Sequence, residues 1–116
     1  MSETVAGSVN VANDVLADLA GYASLESYGI VGMASPSLRE GVAQLLPAAK
    51  LRKGVKVQTA DDAVLVDLYV VIEFGTNITE VSHNLANRVK YVLVNTADVK
   101  VESVEVHVQG VKVRNP

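Results

Sequence analysis

The sequence predicts an α+β domain: a mixed β-sheet with two main helices on one face, in the order β-α-β-(short α)-β-β-α-β. Three observations point there. Several separated stretches alternate apolar and polar residues, the period of a half-buried strand. Two longer stretches place apolar residues at steps of three and four, the period of a helix with one buried side. The two patterns interleave so that a strand-helix-strand unit stands near each end with a hairpin between, and parallel neighbouring strands require such a crossover.

Residues 7–11, Gly7-Ser8-Val9-Asn10-Val11, alternate and read as a first strand. The period then lengthens: Val15, Leu16, Leu19, Tyr22 and Ala23 share one side of a helix from Asn13 to Glu26, with Asp14 and Asp18 opposite and Asn13 as its N-cap. Gly29 should close that helix, because glycine takes the left-handed conformation common at helix C-termini. Ile30 to Ala34 reads as a strand ended by Ser35-Pro36.

Between Pro36 and Pro47, Leu38, Val42, Leu45 and Leu46 have helical spacing and predict a short helix, followed by a basic turn over Lys50-Leu51-Arg52-Lys53-Gly54. Val55 to Thr59 and the long run Val64 to Phe74 form a hairpin across Asp61-Asp62. On the long strand Val64, Val66, Leu68, Val70 and Ile72 face one way and Leu65, Asp67, Tyr69, Val71 and Glu73 the other. Asn77 and Glu80 have capping-box spacing at the head of a helix running to about Val94, with Ile78, Val81, Leu85, Val89 and Val92 as its apolar stripe. Val99 to Val108 alternates as the last strand, with an irregular start near Lys100 to Ser103.

At 116 residues one domain over 1–116 is expected, with 1–6 and 112–116 as flexible ends. The absence of cysteine excludes disulfides, thiolate metal sites and a cysteine nucleophile, and suits a reducing compartment. Met1-Ser2-Glu3-Thr4-Val5 has neither a basic nor an apolar signal region, and no apolar run approaches the roughly 18 residues of a membrane span. A cytoplasmic protein without direct membrane insertion is the expectation. A net charge of −3 and 4% aromatic residues argue against nucleic acid, since phosphate attraction and base-stacking platforms are both scarce.

Four pieces of sequence, in order, resemble the alkaline shock proteins, or envelope stress response proteins, of Gram-positive and related bacteria. They are Gly21-Tyr22-Ala23-Ser24-Leu25-Glu26-Ser27-Tyr28-Gly29-Ile30-Val31-Gly32-Met33, then Gly54-Val55-Lys56-Val57, then the run Val66 to Ile78, then Val104-Glu105-Val106-His107-Val108-Gln109-Gly110-Val111. The resemblance implies a cytosolic protein without known enzymatic activity. Some members are held near the membrane by a small membrane-anchored partner in the envelope stress response, and others look like accessories to fatty-acid metabolism.

Among the residues themselves, one cluster could carry chemistry: Asp67, Tyr69 and Glu73 on one strand with Glu105 and His107 on another, all facing the same way. Alternation alone places polar residues outward, so these side chains, with Leu65 and Val71, are read as a protein-interaction face and not as a catalytic, cofactor or metal site. His83 has no companion histidine at ligand spacing. Gly29-Ile30-Val31-Gly32 has the spacing of an RNA-clamping loop but leads into a strand, and is read as a helix cap with close packing. Lys50, Arg52 and Lys53 are too few for a membrane-binding polybasic segment. The expected partners are a second copy of the chain and a protein partner, either a membrane-anchored protein or a metabolic enzyme such as one of fatty-acid synthesis.

Overall fold

The structure, a computed structural model, describes residues 6–37 and 44–113. Helix α1 (Ala6–Leu25) leads to strand β1 (Ile30–Met33) and a 3-10 segment (Ala48–Gly54). The hairpin of β2 (Val55–Ala60) and β3 (Ala63–Glu73), helix α2 (Ile78–Ala97) and strand β4 (Lys100–Lys112) follow. The expected ends at 1–6 and 112–116 fall largely outside the described residues.

Strand β3 is the axis of a mixed sheet. Parallel to it, β4 occupies one edge over its whole length, from Ala63↔Lys100 to Glu73↔Lys112. Two antiparallel strands share the other edge: β2 from Val55↔Leu68 to Ala60↔Ala63, and β1 from Ile30↔Ile72 to Met33↔Val70. The β2–β3 turn is closed by Asp61 at φ 56, a left-handed position that aspartate tolerates. Helix α2 is the crossover that a parallel β3–β4 pair requires.

The expected strand at 7–11 does not form, and the helix expected to begin at Asn13 already runs from Ala6. Both edges of β3 are taken, so a further strand would have had only the outer edges of β1, β2 or β4 to join. Extending an existing helix adds a hydrogen bond per residue without a new nucleus. Most of the short helix expected between Pro36 and Pro47 lies outside the described residues; near its end Leu45 bridges Ala34, and the Leu46 amide donates to the Met33 carbonyl at 2.8 Å. The expected basic turn is instead part of the 3-10 segment, which buries Leu51.

One core lies between the sheet and both helices. Val64, Val66, Leu68, Val70 and Ile72 point into it and none is more than 6% exposed. Leu16, Ala17, Ala20 and Ala23 meet them from α1, and Val81, Leu85, Val89 and Leu93 from α2. Each such Val or Leu contributes roughly 1.5–3 kcal/mol by leaving water. Val15 and Tyr22, expected on the inner side of α1, are 50% and 58% exposed. The inner row is largely alanine, which lets the helix lie close to the strands and turns the larger side chains to its flank. The Ser24 hydroxyl, buried in this row, donates to the Ala20 carbonyl at 2.7 Å.

Local chemistry fixes the joints. Gly29 has φ +83°, and a Cβ there would stand 2.7 Å from Val81 Cγ2, so glycine both turns the chain and admits α2. At the head of α2 the Asn77 side chain accepts from the Glu80 amide at 2.9 Å, as the capping pattern predicts. Strand β4 carries an extra residue at two points: Val64↔Val101 is followed by Leu65↔Ser103, and Val70↔Val108 by Val71↔Gly110. The first bulge, at Glu102, resets the alternation so that Val101 and then Val104, Val106 and Val108 all pack toward the core. It accounts for the irregular start read in the sequence. A similar shift in β1 skips Val31 between Ile30 and Gly32.

Candidate functional site

The face of β3 turned away from the helices carries Leu65, Asp67, Tyr69, Val71 and Glu73, and β4 adds Glu105 and His107. Parallel register makes Asp67 the partner of Glu105 and Tyr69 the partner of His107. His107 Nε2 lies 2.8 Å from Asp67 Oδ1. The imidazole also stacks on the Tyr69 ring, with centroids 4.5 Å apart and planes 12° from parallel. One ligand atom from each of Asp67, Glu105 and His107 falls within 4.8 Å of the others. These side chains are half-open: Asp67 keeps 26% and His107 37% of its side-chain surface in solvent, while Glu105 is exposed.

The seven residues do not form one uniform surface. Val71 is fully buried, packed with Ala34 and against Val31. The chain leaving β1 crosses the sheet at that end and is pinned there by Gln109, whose side-chain amide donates to the carbonyls of Ser35 and Pro36, each at 3.0 Å. Val71 is therefore packed inside the protein and is not offered to a partner, which corrects its expected role as an apolar anchor. Glu73 lies beyond this cover, six residues or roughly 20 Å along the strand from Asp67. Leu65, Asp67, Tyr69, Glu105 and His107 remain together at the uncovered end.

Gln109 is absent from the site residues that the sequence predicts. Its role rests on a contact spanning more than seventy positions, and the sequence signals only its place in an alternating strand. Of the basic cluster, Arg52 is engaged with α1, donating to both carboxylate oxygens of Asp18, at 3.1 and 2.8 Å, and standing 3.5 Å from Asp14. Hydrogen bonding from that guanidinium holds the Asp18 carboxyl below its ordinary value, against a smaller opposing effect of burial. His83, on α2, has the Asn87 amide 3.2 Å from its Nε2 and lies apart from the cluster.

A mixed sheet covered on one side by two helices, with a polar and aromatic cluster on its other side, defines a small α+β module whose distinctive chemistry lies on an open sheet face. The same fold occurs in a solved structure of MamM CTD in its zinc form, at a TM-score of 0.50 and 10% identity, covering 88% of this chain and 86% of that one. The chain belongs to the alkaline shock protein 23 family, of cell envelope-related function, whose model matches residues 1–113. Among its relatives, the uncharacterized protein YloU of Bacillus subtilis (strain 168) is 39% identical over 95% of this chain and 92% of its own length. The uncharacterized protein Spy1614 of Streptococcus pyogenes is 37% identical over 92% and 89% respectively. No helix among the described residues is long and apolar enough to cross a membrane.

Proposed function

We propose that this protein is a non-catalytic, cytoplasmic interaction module of the envelope stress response. In this reading it self-associates and is held near the inner face of the membrane by a protein partner, docking through the uncovered end of its sheet. The observation that carries this reading is the asymmetry of β3. One side is sealed by two helices, whereas Leu65 and Tyr69 on the other stand half-open beside Asp67, Glu105 and His107, whose positions are fixed by strand register. An aromatic and an aliphatic anchor ringed by polar groups is the composition of a protein-binding patch. The family's envelope-related function supports the cellular setting.

Tyr69→Glu tests it. The substitution should reduce the mass measured by size-exclusion chromatography with light scattering and leave the far-ultraviolet circular dichroism unchanged. A wild-type protein that stays monomeric at high concentration removes self-association. A pull-down identifies the partner: a membrane-anchored protein supports the envelope role, and a stoichiometric enzyme of fatty-acid synthesis replaces it with a regulatory adaptor.

A further inference from the structure

We infer that Asp67, Glu105 and His107 form a binding site for a divalent transition-metal cation of the zinc class. Among the described residues this is the one group of three whose ligand atoms lie within 4.8 Å of one another. One imidazole and two carboxylates make a mixed nitrogen and oxygen set, which suits zinc better than the all-oxygen shells preferred by magnesium and calcium. Two carboxylates beside a neutral imidazole also match the ion's charge.

The geometry needs little adjustment. Tetrahedral zinc with bonds of about 2.0–2.2 Å holds its ligand atoms about 3.3–3.6 Å apart. His107 Nε2 and Asp67 Oδ1 are already at 2.8 Å, the spacing of a shared proton. Glu105 is exposed, so a rotamer change suffices to bring its carboxylate in. The parts that must not move are held by the fold: Asp67 and Glu105 are register partners, and His107 follows two residues along β4 on the same face. Tyr69, stacked on the imidazole, fixes the ring plane and walls one side of the site.

In the unliganded protein a proton lies between Nε2 and Oδ1. The metal takes the Nε2 lone pair, so when the ion binds the neutral imidazole carries its hydrogen on Nδ1 and the Asp67 carboxylate changes from hydrogen-bond partner to ligand. Three protein ligands leave a fourth position for water or for an acceptor from another molecule. The site requires only these side chains and does not depend on the docking role.

Titration calorimetry of the full chain with zinc chloride in a non-chelating buffer, and optical titration with cobalt(II), test it. One saturable ion per chain is expected, with the visible absorption of low-coordinate cobalt. His107→Ala and Glu105→Gln should each weaken binding by more than about 100-fold, since losing a ligand exceeds the 10–100-fold cost of losing an outer-shell partner. His83→Ala should bind as the wild type does, and magnesium chloride should not compete. Absence of saturable zinc binding, or equal binding by His107→Ala and Glu105→Gln variants that melt like the wild type, overturns the site. Light scattering with and without zinc separates the two readings: a monomer that binds zinc keeps this site and loses self-association, and an oligomer that binds none does the reverse.

Discussion

The two faces of β3 are built by alternate residues of a single strand, yet they meet different fates. Toward the helices, positions 64, 66, 68, 70 and 72 carry only Val, Leu or Ile, and all are buried. Away from them, burial changes along the strand: Val71 is sealed beneath the segment leaving β1, Leu65 and Tyr69 are half-open, and Asp67 is tied to His107. A strand's period of two decides which side a residue faces, but whether that side is covered depends on what the rest of the chain lays across it. The helical face is a packing problem solved once, while the opposite face is divided between structure and availability.

The largest test of this contrast sets Leu85→Ala, on α2 and fully buried, against Leu65→Ala on the open face. Urea unfolding should show a loss of about 2–5 kcal/mol for the first, from lost transfer energy and a residual cavity. The second should cost well under half as much, and equal losses would erase the distinction between the faces. Next, Gly29→Ala should cost about 1–3 kcal/mol in the same assay, because alanine is strained at positive φ and its methyl meets Val81 at the joint between α1 and α2. An unchanged midpoint would mean that this joint relaxes freely.

The divided face is probed by Gln109→Ala. Removing both bonds to the Ser35 and Pro36 carbonyls should cost about 1 kcal/mol and raise amide exchange at Ala34, whose N–H donates to the Tyr69 carbonyl at 2.9 Å. Unaltered exchange there would remove Gln109 as the pin. The smallest effect belongs to the solvent side of α1. Since Arg52 lowers the folded Asp18 carboxyl below 3.8, the pair's stabilisation is fully present above that value and fades as pH falls through the lower folded one. The slight difference in melting temperature between wild type and Asp18→Asn should therefore shrink to nothing in strong acid and weaken with salt.

Patterns confined to neighbouring residues are legible in the amino-acid sequence alone. The Asn77 cap, the stripe through Val81, Leu85 and Val89 and the Asp61-Asp62 reversal each follow from spacing over a few neighbouring residues. Local spacing misleads where distant parts of the chain decide the outcome. The 7–11 stretch has a strand's alternation, but β3 has no edge left to receive it. Val71 has an outward position in the alternation, but Ala34, thirty-seven residues earlier, lies against it. Val15 and Tyr22 fit a helical stripe, yet the tighter row of Leu16, Ala17, Ala20 and Ala23 packs inward.

Strand β4 lies on the border of the sheet, and its outer row of backbone donors and acceptors has no strand partner among the described residues. Such a border invites another chain to add itself indefinitely, a route to aggregation. The interruptions at Glu102 and Gln109 bend that row out of line, and charged Lys100, Glu102, Glu105 and Lys112 punctuate it. The irregularities that aim the valines inward thus also make the border a poor template for fibre growth.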